Sequence, residues 1–214
     1  DGIDAKTASA GNEGDRDGYR NTSLNARLGH RFANGADLEL HVMDAEGHVE
    51  YDGNPNQTAF EQDVASVRLN FAPTAIWNVK LQTGTSRDYT DNFKDGRFSS
   101  TFNTLRNVAS WQNDVVLGKD QLLTLGTDYQ DDRIGSTSSF RVNERANTGV
   151  FLQHQGKFGN HDVIVGARQD DNEQFGTHDT GNLAWGYALS PRLRARLSYG
   201  TAFKAPTLNQ LYSS

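Results

Sequence analysis

The residues best spaced for chemistry lie near the start of the chain, in Glu13-Gly-Asp15-Arg-Asp17-Gly18, with Asp4 a little earlier. Carboxylates at every second position, followed by a glycine, can curl several oxygens around one hard cation, as in the first half of a calcium loop. The bidentate Glu that completes an EF-hand would fall at position 24, where Leu24 stands, so an EF-hand is excluded. The same residues would equally make a solvated Asx-turn in an acidic loop. A second acidic run, Asp44-Ala-Glu46 through Glu50-Tyr51-Asp52, has the character of a solvated loop that could add ligands.

Enzymatic chemistry finds little support. His30, His41, His48, His154, His161 and His178 are scattered, with no two at a metal-ligand spacing on one element. There is no cysteine, and no serine stands in a Gly-x-Ser-x-Gly context. The expectation is a protein that is not an enzyme.

Composition narrows the class. The chain has 214 residues, a net charge of -6 and only 35% hydrophobic residues, yet it carries 3 Trp, 7 Tyr and 11 Phe. Such aromatic content is too high for a disordered acidic tail. The acidic balance argues against nucleic acid as a partner. No run approaches the roughly 20 apolar residues of a membrane-spanning helix. Asp1-Gly2-Ile3-Asp4 does not read as a signal peptide, so either export preceded this form or the sequence is a piece of a longer chain.

The apolar residues that do occur follow a period of two. Leu24, Ala26 and Leu28 alternate with polar neighbours, as do Leu38, Leu40 and Val42 after the Asn34-Gly35 turn. The same alternation returns in Ala65–Phe71, Trp77–Thr83, Ala109–Leu117, Leu123–Tyr129, Thr148–Leu152, Val163–Ala167, Leu183–Leu189 and Leu193–Tyr199. These ten segments form five hairpins. Turns inside hairpins span about four residues, whereas the links between hairpins, roughly 44–60, 87–106, 130–146 and 169–181, are long and polar.

Sorting of short turns to one end and long loops to the other is what a membrane-spanning barrel requires. The expected fold is all-β: an antiparallel transmembrane β-barrel segment with short periplasmic turns and long extracellular loops. One face of each strand would meet outer-membrane lipid. The other would carry Arg27, Arg68, Lys80, Arg168, Arg194 and Arg196 into the lumen, as salt bridges or, in the sharper reading, as a basic lining that selects anions. Trp77, Trp111, Trp185 and Tyr187 would fill interfacial girdles or ordinary sheet positions.

One stretch is not explained by alternation: Tyr199-Gly-Thr-Ala-Phe-Lys-Ala-Pro-Thr-Leu-Asn-Gln-Leu-Tyr212. Together with Asn147-Thr-Gly-Val-Phe-Leu152 and Gly166–His178, it resembles the barrels of TonB-dependent outer-membrane transporters, and among them those for cobalamin (vitamin B12). The resemblance implies a 22-stranded barrel around an N-terminal plug. Residues 1–214 would then be a partial barrel domain of about ten strands without the plug. It further implies a Gram-negative outer-membrane location, a corrinoid substrate, a TonB energy-coupling partner, and calcium in the extracellular loops. The calcium ligand pattern matches at Asp4, Asp15, Asp17 and Asp52, while a further family acid falls near Asn56, where it is missing. A siderophore or other metal-chelate receptor, and a ten-stranded outer-membrane barrel protease, are the alternatives.

Overall fold

The computed structural model describes residues 17–208. Ten strands form one sheet: β1 Tyr19–Arg31, β2 Asp37–Glu50, β3 Gln57–Thr74, β4 Trp77–Lys94, β5 Arg97–Gly118, β6 Gln121–Ser136, β7 Glu144–Phe158, β8 His161–Asn172, β9 Gly176–Ser190 and β10 Leu193–Gly200. Each pairs antiparallel with its sequence neighbour, in the order β1 to β10. Among the described residues β1 and β10 do not pair with each other, so the wall has two open edges.

Little of this wall is buried in the ordinary sense. Among the described residues only Ala36, Ala45, Val79, Ile134 and Leu208 are buried hydrophobics, while Leu28, Val42, Leu81, Trp111, Leu152 and Leu197 stand exposed on one face. A single sheet whose apolar side chains point away from its polar ones has no second layer to cover them. Lipid supplies that layer in a β-barrel. One polar residue on this face, Asn113, is buried and accepts a 3.0 Å hydrogen bond from Trp77 Nε1. Trp77, Trp185 and Tyr187 stand near the short-turn end, where Trp185 Nε1 donates to His161 Nδ1 (3.1 Å) and the two aromatic rings stack. Trp111 lies farther along its strand, opposite Leu81 and Thr127.

The excursions at the other end are long, as the sequence requires, but they are mostly strand. β5 runs for 22 residues, about 70 Å at the usual rise of an extended chain, against an apolar band roughly 25 Å tall. The polar stretch 87–106 is the upper half of the β4–β5 hairpin, turning at Asp95 (φ 51) and Gly96 (φ 72). Positive φ at both central residues defines the type I′ turn whose twist suits two strands. Polar side chains on both faces are compatible with strand there because, beyond the lipid, both faces meet water.

Above the apolar rows, like charges face each other. Asp44 lies opposite Asp63, and Glu46 opposite Glu61. Arg87 bridges Glu61 (3.0 Å) and Asp63 (3.3 Å). Partial desolvation, then the hydrogen bond and charge of Asp63, raise Asp44 above the usual carboxylate range.

Candidate functional site

On the lumen face the upper wall carries a ladder of charges. Arg106 on β5 binds Asp132 on β6 in a two-point pair, Nε to Oδ1 at 2.6 Å and Nη2 to Oδ2 at 3.1 Å. Arg168 on β8 reaches across β7 to Asp128 on β6 (2.6 and 2.9 Å) and along its own strand to Asp170 (2.8 and 2.7 Å). Gly149 lies between them on β7, and a Cβ there would run into the Arg168 guanidinium. The glycine is what lets this arginine lie flat across its strand. Asn147 donates to Asp170 (2.9 Å) and Asn172 donates to Asn147 (3.1 Å), which extends the ladder to the rim.

Of the six basic residues placed on the lumen face by alternation, five meet carboxylates. Arg27 and Arg68 share Glu39, Lys80 binds Asp114 at 2.7 Å, Arg168 binds Asp128 and Asp170, and Arg194 pairs with Asp162. A lining in which carboxylates answer the cations is built for a wall that stays straight in a wet lumen rather than for wholesale capture of anions.

After β10 the chain leaves the sheet and turns over this ladder. Phe203 stacks on His178, with ring centroids 3.8 Å apart and planes at 13°. The Pro206 carbonyl accepts a 2.8 Å hydrogen bond from Arg145 Nη1, and Leu208 is buried. Arg145 itself is 8% exposed; it also reaches Gln174 Oε1 (3.4 Å) and lies 5.8 Å from the Phe175 ring. Between strap and wall lies a cavity of 730 Å³ whose charged lining includes Asp88, Arg106, Asp132, Arg145, Asp170 and Lys204. Alternation marked Arg168 as lumen-facing, but nothing in the sequence signalled Arg145, whose role depends on a contact with Pro206, 61 positions away.

The calcium reading is split by the limits of the described residues, because Asp4 and Asp15 lie outside them. Gly18 O accepts the Glu50 N–H at 2.8 Å, which sets Asp17 and Asp52 at facing ends of β1 and β2. Asp52 is 4% exposed. Asn56, where the acid is missing, forms two hydrogen bonds with Asp95 (3.1 and 3.0 Å), and Lys94 Nζ donates to Gly53 O at 3.0 Å. Among the described residues no group of three or more His, Asp or Glu side chains is arranged to hold a metal.

A family model described as TonB dependent receptor-like, beta-barrel matches residues 2–214. The chain belongs to the TonB-dependent receptor β-barrel family. It is accordingly an outer-membrane protein of the Gram-negative type and not an enzyme, which removes the barrel-protease alternative. Vitamin B12 transporter BtuB of Photobacterium profundum is 31% identical over 206 residues, covering 94% of this chain and 34% of that protein. Vitamin B12 transporter BtuB of Vibrio cholerae is 30% identical over 223 residues, covering 99% of this chain and 36% of that one. The chain thus spans about a third of the length of these relatives. Among solved structures, a mutant ferric enterobactin receptor (PfeA) of Pseudomonas aeruginosa superposes with a TM-score of 0.81 at 16% identity, over 92% of this chain and 35% of that one. The siderophore receptor PirA of Acinetobacter baumannii gives 0.73 at 16% identity, with the same coverage. At such identity these structures share the barrel-wall fold.

Proposed function

We propose that residues 1–214 are a middle portion of the barrel of an outer-membrane active transporter for vitamin B12 and related corrinoids. The observation that carries this reading is the 31% identity to a vitamin B12 transporter over 94% of the chain. The plug and the TonB energy-coupling protein act on this wall in the full-length parent, where binding energy for the ligand is gathered from loops and lumen together.

Calcium belongs to the same reading as a structural ion. Asp17 and Asp52, with Asp4 and Asp15, would hold it, and the donor chemistry fits: hard carboxylate oxygens, one of them on a buried side chain. A bound cation would offset repulsion among acidic loops and order them for a large ligand, reducing the entropy lost on binding. These residues supply no catalytic step; they hold a surface in place.

A siderophore or other metal-chelate receptor is the second reading, favoured by the shared fold with PfeA and PirA. Titration of the full-length protein with cyanocobalamin and with ferric enterobactin, each with and without a calcium chelator, separates the two. The expected result is cyanocobalamin binding that the chelator weakens. Absence of binding at micromolar cyanocobalamin, with saturable binding of the iron chelate, would refute the corrinoid reading.

A further inference from the structure

Most charges that line the lumen cavity answer one another: Arg106 holds Asp132 at both oxygens, and Arg168 holds Asp170. At the strap end two cations are left without a carboxylate among the described residues. Arg145 is 8% exposed, yet among the described residues its partners are the Pro206 carbonyl, the Gln174 amide and the Phe175 ring, none of them a carboxylate. Its cross-strand neighbour Asp132 is already engaged at both oxygens by Arg106. Lys204 lines the same cavity, exposed, and forms no ion pair among the described residues.

Arg145 is held by its contacts, and the backbone that carries Lys204 is fixed on both sides. Lys204 follows Phe203, which is stacked on His178, and precedes Pro206, whose carbonyl is fixed by Arg145. The strap therefore carries one ammonium over the cavity beside one buried guanidinium. A buried guanidinium with only carbonyl and ring partners is costly unless an anion comes to it. An arginine fork and a lysine point charge are the usual pair for a phosphate oxygen set.

We propose that Arg145 and Lys204 form a subsite for a phosphodiester group of the ligand. The subsite rests on the corrinoid reading above. Cobalamin carries one phosphodiester, the kind of anionic group that such a pair of cations takes. Arg145 has a second role as a positioning residue, since it fixes the strap that presents Lys204.

The test uses the full-length protein with cyanocobalamin and with dicyanocobinamide, a corrinoid that lacks the phosphodiester. Lys204→Met and Arg145→Gln should each weaken cyanocobalamin binding about tenfold, the loss expected for one charge-assisted contact, and change cobinamide binding by less than about twofold. Retained cobinamide binding shows that each variant is folded. Equal weakening of both corrinoids, or no change in either, would overturn the subsite while leaving the corrinoid reading intact. Wild-type protein that binds neither corrinoid would overturn both. Inorganic phosphate that stabilises the wild type but not Lys204→Met, with cyanocobalamin unaffected by the variant, would assign the cations to free phosphate and overturn the ligand assignment.

Discussion

Replacing Arg168 with methionine should destabilise the wall by about 2–3 kcal/mol, between the ~0–1 kcal/mol of an exposed ion pair and the ~3–5 kcal/mol of breaking a buried one. The structure sets the intermediate value. Arg168 makes four short charge-assisted hydrogen bonds, yet its side chain is 32% exposed and that of Asp128 is 34% exposed, so water screens part of the loss. Asp170 is the less forgiving partner. At 11% side-chain exposure it would be left with the Asn147 amide (2.9 Å) and without a counter-charge. The assay is denaturant unfolding of the full-length protein in phospholipid vesicles, read as a shift in midpoint at constant m. Combining Arg168→Met with Asp128→Asn should recover about 1–2 kcal/mol of coupling, since the second change removes a charge the first has stranded. A variant within about 0.5 kcal/mol of wild type, or strict additivity in the cycle, would refute the argument that this ladder stiffens the wall.

Gly149→Ala should cost about 1–3 kcal/mol by pushing the Arg168 guanidinium off its partners, and the cost should largely vanish in an Arg168→Met background when both are measured by the same unfolding assay. Val150→Arg, on the exposed apolar row, should cost about 2–4 kcal/mol in vesicles, while Gln153→Arg, on the lumen row of the same strand, should be nearly neutral; equal costs would place the lipid on the wrong face. Asp44→Asn should increase amide protection across the β2–β3 extension at neutral pH, because it removes a charge opposed by Asp63. A carboxyl raised in the folded state binds its proton more tightly there than when unfolded, so folding is favoured at low pH and this advantage is lost as pH rises through the raised value. The benefit of Asp44→Asn should therefore be largest at neutral pH and shrink on acidification; a benefit independent of pH would show that the pair does not share a proton.

Strand identity was legible because period two is a local property: each residue declares its face without reference to the rest of the chain. The ten segments and five short turns therefore appear where alternation puts them. Strand length was not legible. Apolar alternation ends where lipid ends, yet the Asp95-Gly96 turn continues β4 and β5 well past it, and that dipeptide was the available signal. The ladder was half visible. Alternation put Arg168 on the lumen face, but its pairing with Asp128, 40 residues away, follows from the register of three strands and from the missing side chain at Gly149. The strap was visible as a motif and silent as geometry, because its contacts with Arg145 and His178 depend on where the chain goes after it leaves the sheet.

Transport of a corrinoid is read from uptake by whole cells. Cells lacking their own vitamin B12 receptor and expressing the full-length protein should accumulate labelled cyanocobalamin, and a protonophore that collapses the inner-membrane gradient should abolish that accumulation. Surface-expressed protein that accumulates a ferric siderophore but no cyanocobalamin would show that the cargo is an iron chelate and not a corrinoid.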